Sequence, residues 1–326
     1  MKIYITDCDH KNIDIETKTL SKAGLDVSWK SAISEEEVID QCSDGDVFIV
    51  QYAKITEKVM KACKNLKFIV RYGVGVDSID VAAASKLGIQ VGNVPDYGMN
   101  EVADQAISLM LALERKIVVM NNQVKKTEWD YKVAIPIHRF SEQTVGIIGL
   151  GRIGRCFARR ATALGFNVIG YDPYYDLKPE DSNIKKVSLS ELITSSDVIT
   201  LHIPLDGNEN IIDANVLSKM KNSSYLINVA RGGLIDEKAL NDALTNKEIA
   251  GAALDCMMDE PVSKSNLLFK HDNLLVTPHM AWYSEEASEE LKRKVAEETI
   301  RFIKGEKIHY PINNPICLKG DNNEQN

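Results

Sequence analysis

Cysteine is scarce in this sequence. Among 326 residues there are six, Cys8, Cys42, Cys63, Cys156, Cys256 and Cys317. None belongs to a CxxC pair or a metal-ligand spacing, so a disulfide scaffold and a metal module are excluded, and a reduced cytoplasmic protein without metal is expected. An excess of positive charge is also lacking: 39 lysines and arginines face 47 acidic residues, for a net charge of −8 and a pI near 5.4. A polyanion-binding surface needs a basic field, so nucleic acid and anionic membrane are not expected partners. A small anion would need a local cation, which directs attention to individual arginines. No apolar run approaches the ~18 residues of a membrane span, and MKIYITD enters a strand pattern with no signal-peptide core before it. Internal repeats and low-complexity segments are absent too. The polar stretch from Lys319 to Asn326 is expected to fray.

What is present is ordinary for a globular chain, with 44% hydrophobic and 26% charged residues. The length exceeds one core and predicts two domains. Short β-branched or apolar runs predict strands at 2–6, 47–51, 68–70, 145–148, 168–171, 198–201, 225–228, 250–254 and 274–277. Helical patterns alternate with them at 35–42, 56–62, 81–87, 153–164, 189–195, 214–219 and 237–246. Such alternation predicts an α/β fold of parallel sheets covered by helices. Pro95 and Gly98 interrupt the pattern, and Asn100 reads as the N-cap of a long helix with Val102, Ala106, Leu109, Met110, Leu113 and Ile117 on one face. A second helical stretch, 285–304, closes the region. Residues 100–284 are therefore expected to form a nucleotide-binding domain, and residues 1–99 with 285–326 a discontinuous second domain.

The string from Val145 to Arg155 carries GxGxxG at Gly149, Gly151 and Gly154, between an apolar strand and a helix. The first glycine allows a tight turn, the second close approach of a pyrophosphate, and the third helix–strand packing. Amides at the helix N-terminus, from Leu150 through Arg152 and Ile153, would hold the phosphates. A second strand ends at Asp172, at the spacing expected of the acid that grips the adenosine ribose. A carboxylate there would repel a 2′-phosphate, so NAD is expected over NADP.

Three further strand ends carry chemistry: Asn228–Gly233, Leu254–Pro261 and Thr277–Trp282. Arg231 can clamp a carboxylate in a bidentate manner that lysine cannot reproduce. His279 can take the hydroxyl proton as hydride leaves C2, and return it in reduction. Glu260, bonded to the other ring nitrogen, would fix the tautomer and favour imidazolium. These three groups are what a dehydrogenase of 2-hydroxy acids needs.

The glycine loop, NVARGG around Arg231, LDxxxxEP from Leu254 to Pro261 and TPH at His279 together resemble the D-isomer-specific 2-hydroxyacid dehydrogenases. The resemblance extends over essentially the whole chain, including Arg71–Asp77 and Asn93–Gly98. Ala281–Glu285 and Ala103-Asp104 resemble the C-terminal-binding-protein-like branch. The resemblance implies a Rossmann-type doubly wound parallel sheet with a smaller flavodoxin-like substrate domain, and a homodimer joined through the nucleotide domain. It implies that Gly73, Val74 and Gly75 present amides to the substrate carboxylate. His202, Ile203 and Pro204 would line the adenine side, and Val229, Ala230 and Asp255 the nicotinamide end. Glu260 and Val74 depart from the formate and phosphite dehydrogenases, which carry Gln and Lys there. Trp282 can wall a substrate pocket or pack a domain junction. With Tyr52, Tyr72 and Tyr97 it would suit an apolar or thioether side chain, although glyoxylate, hydroxypyruvate and 3-phosphoglycerate stay open. The alternative to an enzyme is an NAD(H)-sensing corepressor-like protein with little turnover.

Overall fold

The computed structural model describes residues 1–315; Cys317 and the 319–326 stretch expected to fray lie outside the described residues. The chain forms two compact units, one of Met1–Gly98 with the chain from Ser284 onward, the other of Met99–Tyr283.

The first unit holds five strands, β1 (Ile3–Ile5), β2 (Val27–Trp29), β3 (Val47–Val50), β4 (Phe68–Arg71) and β5 (Gln90–Gly92), all parallel in the order β2-β1-β3-β4-β5. The β3 strand is buried at every position, because a central parallel strand has helices over both faces. Phe48, Val50, Ile69 and Val91 pack with Val38, Val59 and Ala84 from the covering helices into one core. Local signals fix helix starts: Ser34 and Glu37 form a capping box ahead of Glu35–Cys42, and Ser284 caps Glu285–Ile303.

The second unit holds seven parallel strands, β6 (Thr144–Ile148), β7 (Asn167–Tyr171), β8 (Lys185–Lys186), β9 (Val198–Leu201), β10 (Tyr225–Asn228), β11 (Gly251–Leu254) and β12 (Leu274–Val276). Their order is β12-β11-β10-β9-β6-β7-β8, so the chain reverses its direction of growth between β6 and β9, the doubly wound arrangement. Met99–Glu114 and Arg152–Ala163 pack together on one face, burying Ala106, Met110, Phe157 and Ala161. Both sheets are parallel with helical cover, as the sequence predicts.

Three strands and one helix, Asp14–Ser21, escape the sequence reading. Each of β2, β5 and β8 is two or three residues long and lies at a sheet edge; β2 and β8 are largely exposed and so carry no apolar run. The long helix expected from Asn100 also differs. It starts at Met99, leaving Asn100 inside rather than capping it, and ends at Glu114. Lys116 takes φ +50°, and a second helix, Ile117–Lys125, follows with no buried residue. Ile117, expected on the buried face, is 56% exposed. No helix among the described residues is long and apolar enough to cross a membrane.

Candidate active site

The turn after β6 shows a separate physical need for each glycine. Gly149 has φ +98°, and a Cβ there would lie 2.5 Å from the His202 carbonyl oxygen at the β6/β9 reversal. At Gly154 a Cβ would run into the Gly149 carbonyl, whereas at Gly151 it would meet nothing within 4 Å. Two glycines therefore serve the fold. The third lines open space, as a pyrophosphate cradle requires. Asp172, at the end of β7, accepts the Leu150 amide at 2.8 Å and the Tyr174 amide at 2.8 Å, which fixes its carboxylate beside the loop. The His202 ring packs against Phe157, bonds Thr200 at 3.0 Å and is pushed down to about 3 by burial, so it is neutral. Its backbone, not its side chain, meets the glycine loop. Ile203, half-buried against the core, and Pro204, exposed, follow.

Arg231, Glu260 and His279 come together at the carboxyl ends of β10, β11 and β12. Asn228 shapes the first turn: its Nδ2 donates to the Arg231 carbonyl at 2.8 Å and its Oδ1 accepts the Ala230 amide at 3.0 Å. Arg231 Nη1 donates to the Ala230 carbonyl at 2.7 Å, bending the guanidinium back over its own turn. Gly232 is buried, and a Cβ on it would strike the Met257 backbone, so this glycine lets the arginine turn close on the segment that carries Glu260. His279 Nδ1 bonds Glu260 Oε2 at 2.7 Å, and the other Glu260 oxygen accepts the Met257 amide at 2.9 Å. Burial would raise the Glu260 carboxyl. The His279 hydrogen bond, the Met257 amide and the Arg231 charge outweigh it and hold the group below the usual range. Nδ1 being engaged, Nε2 is the nitrogen left to exchange a proton with a substrate.

Asp255, expected at the nicotinamide end, is bonded in the structure to the turn that carries His279. It is 1% exposed; one oxygen accepts Thr277 Oγ1 at 2.5 Å and the Met280 amide at 3.1 Å, the other the Ala281 amide at 2.8 Å. His279 itself has φ +51° and donates its amide to the Asp255 carbonyl at 2.7 Å. Asp255 therefore holds the histidine turn. The sequence reading missed this, and Asn228 with it; a polar residue at a strand end before a turn was the available signal. Trp282 stacks edge-on with Tyr283, ring centroids 5.5 Å apart.

In the other unit, Gly73 takes φ +111° and its carbonyl accepts the Val94 amide at 3.0 Å; the Val74 carbonyl accepts Asn93 Nδ2 at 2.6 Å. The Gly73–Gly75 loop is thereby fixed. Beneath it Tyr72 is buried and donates to Glu16 Oε1 at 2.8 Å. Tyr97 is buried as well, so of the three tyrosines expected in an aromatic wall, Tyr52 is the one with an exposed ring.

Residues 107–281 match the family model described as "D-isomer specific 2-hydroxyacid dehydrogenase, NAD binding domain". The chain belongs to this family. It is 40% identical to D-3-phosphoglycerate dehydrogenase of Methanocaldococcus jannaschii over 97% of its own length and 60% of that protein's. With glycerate dehydrogenase of Methylorubrum extorquens it shares 35% identity over 91% of this chain and 95% of that one. A D-lactate dehydrogenase from Aquifex aeolicus, solved with NAD and lactic acid, superimposes with a TM-score of 0.89 at 27% identity, covering 96% of this chain and all of the other. The chain spans 60% or less of the length of the curated phosphoglycerate dehydrogenases it matches. Residues 107–281 are thus the NAD-binding domain of the family, and the cofactor is NAD. None of these relatives is named as a corepressor, and that reading finds no support among them.

Proposed function

We propose that this chain is an NAD-dependent dehydrogenase that interconverts a 2-oxo acid and a D-2-hydroxy acid. The observation that carries the reading is the 2.7 Å hydrogen bond from His279 Nδ1 to Glu260, with Arg231 close enough to bias the same carboxylate. Arg231 would hold the substrate carboxylate in a bidentate pair. Gly73, Val74 and Gly75 keep the role the resemblance implies, presenting amides to that carboxylate. His279 Nε2 would deliver a proton to the C2 oxygen in reduction and remove it in oxidation, while Glu260 stabilises the charged ring. The open space at Gly151 and the carboxylate of Asp172 fit a dinucleotide. Leu150, Gly151, Arg152 and Ile153 would hold its phosphates, Asp172 its ribose, and Val229, Ala230 and Asp255 its nicotinamide end. When bound, the nicotinamide supplies or accepts the hydride.

The protein is read as a cytoplasmic homodimer. Ile117, Val118, Val124, Trp129, Tyr131 and Ile135 form an exposed apolar stretch on the nucleotide-binding unit, which a second copy would cover. The test of the whole reading is NADH oxidation with a panel of 2-oxo acids, alongside His279→Ala. Turnover should appear with at least one acid and fall by roughly 10²–10⁴ in the variant, NADH affinity staying near wild type. A wild-type rate in the variant would remove His279 from the mechanism.

A further inference from the structure

Leu150, between the first two glycines of the loop after β6, is held at three points. Its side chain is fully buried in one core with Ile184, on which Tyr175 and Leu177 also pack. Its amide donates to Asp172 at 2.8 Å, and its carbonyl accepts Arg155 Nη1 at 2.7 Å. The carbonyl matters because of what shares its peptide plane. A trans peptide is planar, with its C=O and N–H pointing opposite ways, so fixing the Leu150 carbonyl also fixes the Gly151 N–H. Gly151 is the glycine whose Cβ would meet nothing within 4 Å. The direction of its N–H, away from the arginine, is thereby set before any dinucleotide arrives.

Arg155 is itself gripped. Its guanidinium carbon lies 4.3 Å from the centroid of the Tyr175 ring, a cation–π distance, and its Nε is 3.5 Å from Asp181 Oδ1. Asp181 Oδ2 accepts the Tyr175 hydroxyl at 2.7 Å and the Lys178 amide at 3.1 Å. Burial would raise the Asp181 carboxyl. The Tyr175 hydroxyl, the Lys178 amide and the Arg155 and Lys178 charges outweigh it and hold the group below the usual range, so it is ionised at neutral pH. With its side chain 3% exposed, this carboxylate needs a partner for its charge, and Arg155 stands at ion-pair distance. The neighbouring cations have other places. Lys186 Nζ donates to the Tyr175 carbonyl at 2.6 Å and stands 3.2 Å from Asp176, while Arg152 and Lys178 are exposed. Arg155 instead turns its guanidinium to the protein.

We infer that Asp181 and Tyr175 are positioning residues for the dinucleotide: they hold Arg155 against the Leu150 carbonyl, and through that peptide they orient the Gly151 N–H for the pyrophosphate of NAD. This rests on the phosphate-holding role proposed for the glycine loop and on no part of the 2-oxo acid chemistry. Dissociation constants are measured for NADH by its fluorescence, and for ADP and adenosine by competition, in wild type, Arg155→Met, Tyr175→Phe, Asp181→Asn and the Arg155→Met/Asp181→Asn double variant, with thermal melting of each. Arg155→Met should weaken NADH and ADP alike by about 10- to 100-fold, the worth of one hydrogen bond to a charged group, and leave adenosine, which has no phosphate, within about twofold. Asp181→Asn and Tyr175→Phe should each cost about three- to tenfold, as the aligned loop becomes a smaller share of the population. Adding Asp181→Asn to Arg155→Met should cost nothing more, because the carboxylate acts through the guanidinium. A folded Arg155→Met protein that binds NADH as wild type does, or that loses adenosine as much as ADP, overturns the role of Arg155. If that variant does not fold, Tyr175→Phe, which keeps the ring, carries the same comparison of ADP with adenosine. Losses that simply add in the double variant overturn the role of Asp181. Wild-type protein that binds adenosine as tightly as ADP overturns the phosphate role of the loop itself.

Discussion

Gly232 offers a way to disturb the geometry of the proposed site without touching any of its three reacting side chains. A methyl group there would lie roughly 1.4 Å inside ordinary van der Waals contact with the Met257 backbone, which cannot rotate away as a side chain would. Something on the order of 1 Å must give, and the atoms that give are those that aim Glu260. The Met257 amide holds one Glu260 oxygen, the Met258 amide is tied to Glu237 at 2.7 Å, and the other Glu260 oxygen holds His279. A 1 Å misplacement of reacting groups costs about 10²-fold in rate, equivalent to about 2.7 kcal/mol of transition-state stabilisation. Overpacking of this kind destabilises by about 1–3 kcal/mol, which lowers the melting temperature without unfolding the domain. Gly233→Ala is the control, because its Cβ would meet only the tip of the Leu205 side chain at 2.9 Å. Steady-state NADH oxidation, NADH titration by fluorescence and thermal melting should be run on both variants. Gly232→Ala should lose about 10² in kcat/KM and bind NADH normally, while Gly233→Ala stays close to wild type. A folded Gly232→Ala enzyme with wild-type kcat/KM would refute the idea that this contact sets the alignment of Glu260.

Gly151→Ala should leave the melting temperature unchanged, since its Cβ meets no protein atom within 4 Å, yet weaken NADH binding by at least about tenfold as the methyl group enters the phosphate cradle; calorimetric titration and melting separate the two effects. Acid stability should respond to His202. Burial depresses this histidine to about 3 against about 6.5 in an unfolded chain, so the unfolded state binds the extra proton between those values. Stability is then fully present above about 6.5 and lost as pH falls toward 3. His10, depressed to about 4, adds a second proton over most of that window. His202→Gln should flatten the acid limb of denaturant-measured stability by about 1.4 kcal/mol per pH unit, one proton's worth, and an unchanged limb would show that His202 is not buried neutral.

Much of the sheet structure was readable because central parallel strands must be apolar on both faces: Val198–Leu201 and Tyr225–Asn228 were bounded to the residue for that reason. The edge strand β8 was not readable, because Lys185-Lys186 has nothing to bury, whereas β12, also at an edge, was readable through its apolar Leu274-Leu275-Val276. The break at Lys116 left no mark either. Leu-Glu-Arg-Lys contains no glycine or proline, and lysine's own preferences do not announce a left-handed backbone. Among site residues, those in contiguous strings at strand ends stood out: Gly149–Gly154, Arg231 and His279. The hydrogen bond from the Tyr52 hydroxyl to Asp9 was invisible because the two residues are 43 apart and meet through the pairing of β1 with β3. Asn228 and Asp255 stood inside recognised strings, but their work is backbone support, and the signal for it, a polar residue at a strand end before a turn, is shared by many residues with no such task.

Asp255 shows why such support belongs to the chemistry. His279 sits at φ +51°, a left-handed conformation that costs a non-glycine residue roughly 1–3 kcal/mol and survives only where its surroundings over-determine it. Pairing of Leu254 with Val276 in neighbouring parallel strands delivers Asp255 and Thr277 to the same sheet edge. From there Asp255 takes Thr277, Met280 and Ala281 on its two oxygens and the His279 amide on its carbonyl. Burial pushes the Asp255 carboxyl up, so the site tolerates an unfavourable buried acid as well as a strained histidine. Both are explained if the fold is holding one ring nitrogen against Glu260 so that the other is presented, at a fixed angle, to whatever accepts its proton.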